Sequence, residues 1–303
     1  MQKTKMFILF AIVILTWGTT WLAMKFALVS MPPIFATGLR FLSAAPLLLW
    51  LLYVTRSSLL FPPGHRFFQF CVFLFCFCLP FTLVIYGEQY VNASTAAIIF
   101  AGMPVAVLLI SIVVLNAPTS LLQLMGAMLA MLSLFCLLQE ESRNSLSNNW
   151  KGAFAVVAAV AMHAFMYVQC KKRSCQVSLF TFNALPCLAA GLLLTLTGAV
   201  VEKPEIENIT WLSFSSIIYL GVVASVFGIL CYFSLQKRIS TFNTSLVFIC
   251  FPVIAVILEC VVMGSVFSHT SWILLAGMLC GVLLSVIPVE REKMATTPKR
   301  LWN

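Results

Sequence analysis

The sequence predicts an all-α membrane protein with ten transmembrane helices arranged as two inverted five-helix repeats. Three observations predict this fold class: ten apolar stretches about as long as a bilayer is thick, basic residues concentrated on one side of them, and a similarity between the two halves of the chain. Of the 303 residues, 62% are hydrophobic and 9% are charged, which leaves little for a soluble domain. Because lipid cannot satisfy backbone polar groups and the stretches are continuously apolar, helices are favoured over barrel strands.

The predicted spans follow one another along the whole chain, each close to the roughly 20 residues of helix that cross a hydrocarbon core. They are residues 7–29, 33–54, 67–87, 91–114, 120–138, 152–170, 179–200, 210–235, 242–263 and 270–288. Proline or glycine marks many of the breaks, as at Pro32, Pro62 and Pro204. The first span follows two lysines, as a signal peptide would, but it is over twenty residues long and lacks a small-residue cleavage site. We therefore expect it to be retained as a helix.

The basic residues predict the orientation, with both termini in the cytoplasm and the chain in the cell inner membrane. With this orientation thirteen basic residues lie in inner segments, whereas only Arg143, Lys151 and Lys203 lie in outer ones. The net charge of +9 is then explained by orientation, and no nucleic-acid partner is expected. The tail, residues 291–303, is charged and short, and we assign it no chemistry.

The two halves, residues 1–148 and 149–290, resemble each other when one is shifted onto the other. A shift of 145 positions aligns Phe35 with Phe180, and a shift of 148 aligns Pro104 with Pro252. Each half carries five spans, and because five is odd the second half enters the membrane from the opposite side. This is the inverted-repeat arrangement of secondary transporters, which predicts a solute pocket between the halves. The alternative is a chance alignment of apolar helices.

Other classes of site find little support in the sequence. The eleven cysteines include Cys71, Cys76 and Cys78 within one apolar stretch, without a Cys-x-x-Cys motif or a nearby histidine, so we interpret them as buried apolar residues. No catalytic residue, metal site or cofactor is predicted. An integral-membrane lipid-modifying enzyme is disfavoured, since such enzymes cluster acidic residues or histidines at a membrane face, and this chain has no aspartate and three histidines.

Short motifs in three helices resemble those of a known family. They are Trp17-Gly18-Thr19-Thr20-Trp21, Pro32-Pro33 followed by Gly38-Leu39-Arg40-Phe41-Leu42, and Ala96-Ala97-Ile98 leading to Pro104. With its ten spans the chain resembles, over nearly its whole length, the EamA-type transporters of the drug/metabolite transporter superfamily. The resemblance implies a secondary carrier of small metabolites with a central cavity. The family commonly has a Gly-Glu pair where this chain has Leu115-Asn116 and Gly264-Ser265, so no role is carried over for those glutamates.

Four ionisable residues lie within or at the ends of the predicted spans: Lys25, Arg40, Glu88 and Glu259. Charges in a bilayer cost several kcal/mol unless they are paired or hydrated, which makes them functional candidates. All four map to the outer half of the membrane. We expect them to form a charge cluster that pairs in one conformation and opens in the other, and so to bias gating. The alternatives are that Lys25 extends to the interface and that Glu88 belongs to a solvated loop.

Polar and aromatic residues near mid-membrane are the candidates for a substrate cavity. Trp17 and Gly18 correspond, one repeat later, to Met162 and His163, and His163 could carry a proton. Further candidates at various depths are Tyr86, Ser94, Thr95, Tyr167, Gln169 and Tyr232. Pro104 and Pro252 are candidate hinges, because each removes a backbone hydrogen bond in mid-span. The alternative for all these residues is ordinary helix packing.

The function predicted from the sequence is alternating-access transport of a small metabolite, most readily an amino acid or a derivative. The expected partners are a small-molecule substrate, the lipid bilayer and, for energy, a proton or a counter-substrate. A homodimer is left open. The rival within the same class is an exporter of hydrophobic or cationic drugs, for which Glu259 and Trp17 would supply a carboxylate and an aromatic wall.

Overall fold

The computed structural model describes residues 2–144, 150–173, 177–236, 238, 244 and 246–287, and within these ranges the secondary structure is helical, without a strand. The helices are α1 (Gln2–Ala27), α2 (Pro33–Val54), α3 (Arg66–Gly87), α4 (Ala93–Leu115), α5 (Leu121–Asn144), α6 (Trp150–Lys172), α7 (Leu179–Val201), α8 (Trp211–Gln236), α9 (Val247–Met263) and α10 (His269–Ser285).

Eight of these helices, α1 to α8, are long and apolar enough to cross a membrane. The shorter α9 and α10 have 17 residues each, or about 26 Å at 1.5 Å per residue, at the lower end of what a span requires. Large apolar side chains such as Phe7, Val113 and Ile273 are more than 70% exposed, which is favourable against lipid and unfavourable in water. The chain is therefore an all-helical, multi-pass membrane protein, as predicted.

The helix boundaries differ from the predicted spans at several ends. Helix α5 continues to Asn144, six residues beyond the predicted end, because no proline or glycine interrupts the chain there. Helix α10 ends at Ser285, earlier than the predicted residue 288, which is a proline that disfavours helical geometry before it. The predicted start of the ninth span, residue 242, lies outside the described residues.

Most of the packing joins helices from the first half of the chain to helices from the second half. Helix α2 lies along α7, α5 lies along α10, and α4 contacts α9. In addition α1 packs on α8 and α9, and α6 packs on α3 and α4. One apolar core joins α1 to most of the other helices, and a smaller one lies among α2, α3 and α7. The two halves therefore form one interleaved bundle.

Glycines allow the closest helix contacts. A Cβ atom on Gly38 in α2 would lie 2.3 Å from the backbone nitrogen of Thr195 in α7. In the same way Gly126 in α5 faces Gly281 in α10, where each added Cβ would lie within 2.8 Å of the other glycine's carbonyl oxygen. Such small residues let helix backbones approach each other in lipid, where van der Waals packing drives association.

Helices α3, α4 and α8 contain irregular segments. Residues Phe73–Cys78 of α3 and Tyr219–Phe227 of α8 form π-helical segments, in which hydrogen bonds join residues five positions apart. Such segments are frequent at functional sites. Helix α4 is interrupted at Gly102, two residues before Pro104, the predicted hinge. Helix α9, in contrast, runs through Pro252 without an interruption. The two prolines are thus matched in sequence position but not in their local helix geometry.

Candidate functional site

The four predicted charged residues come together at the ends of helices that are distant in sequence. Lys25 lies in the last turn of α1, Arg40 in α2, Glu88 directly after α3, and Glu259 near the end of α9. Glu88 lies within electrostatic range of Lys25, Arg40 and Glu259. The other three residues thus lie within electrostatic range of Glu88, and we call the four residues the charge cluster below.

Lys25 and Glu88 are in contact through the backbone. The Nζ atom of Lys25 donates a hydrogen bond to the backbone carbonyl oxygen of Glu88. The Glu88 side chain is completely buried, and neither of its carboxylate oxygens has a hydrogen-bond partner within the described structure. A solvated loop position for Glu88, the alternative considered above, does not agree with this burial.

Glu259 binds the start of α4. One of its carboxylate oxygens accepts a hydrogen bond of 2.6 Å from the backbone N–H of Ser94. The residue before this helix, Asn92, makes no side-chain capping bond, so Glu259 supplies an acceptor that the helix lacks locally. A carboxylate at a helix N-terminus is also favoured by the helix dipole. Glu259 thus joins α9 to α4 across the two halves.

Arg40 is buried, with 6% of its surface exposed, and its contacts are with neutral groups. Its Nε and Nη2 atoms donate to the Oγ of Ser225 at 3.3 and 3.2 Å, and Nη1 approaches the sulfur of Met24 at 3.6 Å. Its guanidinium carbon also lies 4.8 Å from the ring centre of Phe81. Ser225 belongs to the π-helical segment of α8, and its hydroxyl donates in turn to the carbonyl of Leu220.

Aromatic rings continue from Arg40 through the middle of the bundle. The ring of Phe81 lies edge-on to His163 at 5.3 Å, and His163 lies edge-on to Phe100 at 5.8 Å. Phe100 contacts Trp21, and Trp21 stacks on Phe251 at 6.2 Å. The Nε2 atom of His163 is buried and has no hydrogen-bond partner in the described structure. A continuous aromatic band therefore links α3, α6, α4, α1 and α9.

Trp17 and Tyr232, two predicted cavity residues, lie at the other end of this band. Their ring centres are 4.9 Å apart, and Trp17 also contacts Phe248 and Phe251. Gly18 is a packing position, since a Cβ atom there would lie 2.6 Å from the side chain of Ile254 in α9.

The remaining predicted cavity residues are dispersed. Thr95 is buried near the start of α4, whereas Tyr86 and Tyr167 are 37% and 55% exposed. Tyr86 contacts the ring of Tyr90, and Tyr167 lies within electrostatic range of Tyr232. Gln169 is half-buried in α6.

A small cavity of about 40 Å³ is lined by Ser225 and Phe81, the two side chains that the Arg40 guanidinium contacts. Its polar wall includes Ser225 and Asn183, and its apolar wall includes Phe77, Phe81 and Val226. A space of this size holds about one water molecule, so a metabolite can enter only if the helices separate. Both π-helical segments contribute to the wall, through Phe77 in α3 and through Ser225 and Val226 in α8.

Further glutamates bind the starts of helices in the opposite half of the chain. The carboxylate of Glu202, which follows α7, accepts the backbone N–H groups of Ile34 and Phe35 at 3.0 and 2.8 Å. At the end of α5, Glu140 and Glu141 accept hydrogen bonds from Ser268 and Ser271 at the start of α10. With Glu259 on α4, three helix starts are bound by carboxylates from the other half. We call Glu140, Glu141, Glu202 and Glu259 the glutamate clasp.

Apart from Glu259, the sequence did not indicate the members of the clasp as site residues, nor did it indicate Ser225, Asn183, Phe81 or Phe100. A partial signal exists for the clasp, because α2 begins with Pro32-Pro33 and so lacks a side-chain cap of its own. The sequence does not show which distant residue supplies the acceptor. In the part of the chain that the structure describes, no group of three or more His, Cys, Asp or Glu residues could hold a metal ion.

Comparison with known proteins identifies the family to which the chain belongs. The model of the EamA-like transporter family matches residues 4–139 and again residues 150–287. Protein PagO of Salmonella typhimurium is 50% identical over 287 residues, covering 95% of this chain and 94% of its own. An uncharacterized transporter of Buchnera aphidicola subsp. Schizaphis graminum is 44% identical, covering 96% and 97%.

More distant relatives agree with this result. The uncharacterized inner membrane transporter YedA of Escherichia coli is 26% identical, covering 91% of this chain and 88% of its own. A protein crystal structure with 17% sequence identity superposes with a TM-score of 0.66 over 93% of this chain and 96% of that one, which supports the fold. Since the family model matches nearly the whole chain and close relatives match it from end to end, the protein belongs to the EamA-like transporter family.

Proposed function

We propose that the protein is a secondary transporter that moves a small metabolite, an amino acid or a derivative, across the inner membrane by alternating access. The observation that carries this proposal is the charge cluster in a chain of this transporter family: Lys25 binds the backbone of Glu88, and Glu259 joins α9 to α4 across the two halves. Buried charges held by reversible contacts can be paired in one conformation and separated in another.

The packing of the helices supports two inverted five-helix repeats as the moving units. In such repeats α1 corresponds to α6, and so on to α5 and α10. Exchanging the corresponding helices turns the contact of α1 with α8 into that of α6 with α3, and the contact of α1 with α9 into that of α6 with α4. The contacts of α2 with α7, α4 with α9 and α5 with α10 are unchanged. The two π-helical segments also correspond, since they start 146 residues apart. Exchanging conformations between two such units would open the opposite side.

The glutamate clasp supports a conformation closed on one side. By the distribution of basic residues, the clasp lies on the outer side, with the termini in the cytoplasm. The clasp joins the two halves at three helix starts, and on the same side the hydroxyl of Ser30 hydrogen-bonds that of Thr210 at 3.2 Å. We propose that these contacts hold the outer side closed and break when it opens. The Pro104 and Pro252 regions would serve as hinges, the first at the interruption of α4.

Flux through purified protein in liposomes tests the proposal. A metabolite panel is loaded inside the vesicles and its efflux followed without ATP, with and without a proton gradient. We expect saturable movement of at least one solute, and at least a tenfold loss when Arg40→Gln or Glu259→Gln is used, because either change alters the charge cluster. Lys151→Gln, a change at an exposed residue at the start of α6, is the matched control. Undiminished flux in both variants would contradict a gating role for the charge cluster. Absence of flux for every solute would contradict the proposed transport function.

Export of hydrophobic cations is the second candidate function. Trp17 is surrounded by the rings of Tyr232, Phe248 and Phe251, and aromatic faces attract cations. In the same flux assay, cationic dyes compared with neutral metabolites distinguish the two candidates.

A further inference from the structure

We infer that Arg40 binds the carboxylate of the transported solute, and that the solute is an amphipathic carboxylate with an apolar body against Phe77 and Phe81. This inference rests on the proposed transport function and adds the chemical class of its substrate.

The first step of the argument is that Arg40 is poorly satisfied for a buried cation. A guanidinium has five N–H donors, and the acceptors found here are one shared hydroxyl at 3.2 to 3.3 Å and one thioether sulfur at 3.6 Å. The Ser225 hydroxyl donates its hydrogen to Leu220, and its single oxygen is shared by two N–H groups of Arg40. Removing a charge from water at 6% exposure is costly unless a counter-charge with matching geometry compensates for it.

The second step is that, within the described structure, Arg40 makes no hydrogen bond with either carboxylate of the charge cluster. Glu259 is bound by the N–H of Ser94, and Glu88, although within electrostatic range, accepts no hydrogen bond on either carboxylate oxygen within the described structure. The planar guanidinium is suited to two parallel hydrogen bonds with a carboxylate. A solute carboxylate that replaces the long contacts to Ser225 would supply them.

The third step is the cavity. Ser225 and Phe81, which Arg40 contacts, both line it, so a solute carboxylate at the guanidinium would direct its remaining atoms toward this space, which must widen by separation of the helices to hold them. The opposite wall is aromatic and aliphatic, which suits an apolar body, and the side chain of Asn183 can bond a further polar group of the solute. A cationic solute at the same place would meet the charge of Arg40 directly, which argues against the cationic drugs considered above.

The test compares matched solutes on the full-length purified protein. Each of three carboxylates, phenylpropionate, N-acetylphenylalanine and N-acetylleucine, is paired with its neutral amide, and phenylethylamine is added as a cation. Thermal unfolding is measured for each, since a ligand that binds the native fold raises the midpoint. We expect a raised midpoint for at least one carboxylate and none for its amide or for the cation. Equal protection by acid and amide, or no protection by any carboxylate, overturns the inference.

Variants assign the effect to Arg40. Arg40→Gln is expected to abolish the difference between acid and amide, Arg40→Lys to retain part of it, and Lys151→Gln to leave it unchanged. If Arg40→Gln does not fold, Arg40→Lys is compared with the wild type instead. An unchanged rise of the unfolding midpoint with the carboxylate in Arg40→Lys would contradict a bidentate contact with Arg40.

Flux measurements separate this inference from the proposed function. In liposomes, movement of amides or cations in preference to carboxylates would overturn the inference and leave transport intact. Absence of flux for all solutes would contradict both.

Discussion

Glu88 and Glu259 show how two carboxylates of the same cluster differ at the scale of the residue. Both are buried, yet Glu259 accepts a short, charge-assisted hydrogen bond from a helix start, whereas Glu88 accepts none on its carboxylate. Hydrogen bonds to charged groups contribute about 1.5–3 kcal/mol, while a buried carboxyl group without a hydrogen bond contributes little or destabilises. The two glutamates should therefore differ in what they contribute to stability.

We predict that Glu259→Gln destabilises the protein more than Glu88→Gln does. The first change should lower the free energy of unfolding by about 1–2 kcal/mol, because an amide oxygen is a weaker acceptor for the Ser94 N–H. The second should change it by less than about 0.5 kcal/mol, because no hydrogen bond is lost. Unfolding in detergent by heat or denaturant measures both, and an equal or larger loss for Glu88→Gln would contradict the assignment.

At the scale of the element, the fold depends on two features that a single helix cannot provide: close contacts between helix backbones and acceptors for helix starts. Gly38 provides the first for α2 and α7, and Glu202 provides the second for α2. Both features join elements of opposite halves, so their loss should act on the packing of α2 rather than on its helical content.

We predict that Gly38→Ala destabilises the protein by at least about 2 kcal/mol. The added methyl would meet backbone atoms of Thr195 at 2.3 and 2.7 Å, so α2 and α7 must separate. Gly277→Ala is the matched control, since its methyl would meet chiefly the Ser133 hydroxyl at 2.8 Å, which can rotate away. Its expected cost is below about 1 kcal/mol. Thermal unfolding of both variants in the same detergent checks the difference, and similar losses would argue against backbone contact as the cause.

We predict that Glu202→Ala makes the start of α2 exchange its amide hydrogens faster. The Ile34 and Phe35 N–H groups lose their carboxylate acceptor, and a cost of about 1 kcal/mol corresponds to roughly fivefold faster exchange. Hydrogen exchange of a peptide that covers residues 31–40 measures this. Glu205→Ala is the control, because Glu205 lies in the same loop and hydrogen-bonds Asn208 only three residues away. A similar change in both variants would show that the loop, not the cap, is responsible.

At the scale of the whole molecule, the proposed mechanism requires the outer contacts between the halves to break during each cycle. Ser30 lies between α1 and α2, and Thr210 lies directly before α8, so their contact spans the two halves. A covalent bond there would prevent the outer side from opening and would leave the rest of the fold unchanged.

We predict that a disulfide in the double variant Ser30→Cys/Thr210→Cys stops flux and that reduction restores it. The two hydroxyl oxygens are 3.2 Å apart, close enough for the replacing sulfurs to form a bond with small adjustments. The Thr210 hydroxyl also accepts the backbone N–H of Ser213 at the start of α8. Each single variant, treated with the same oxidant, therefore controls for the native cysteines and for the loss of this cap. Undiminished flux in the oxidised double variant, with the disulfide verified by mass spectrometry, would contradict an outer side that opens.

The sequence alone predicted the helical class, the positions of most helices and the family. It also indicated the four residues of the charge cluster as functional candidates, and that role stays a prediction. It could do so because membrane spans are set by local apolar length, and because an ionisable residue in such a span is conspicuous by itself. The aromatic band, the Ser225 contact of Arg40, the cavity beside it and the glutamate clasp were decided by the tertiary structure. Phe81, Phe100 and Glu202 are indistinguishable in sequence from other phenylalanines of apolar helices and other glutamates of loops. Their roles arise only from which helix lies against them, and for Glu202 that helix is 167 to 168 residues away in sequence.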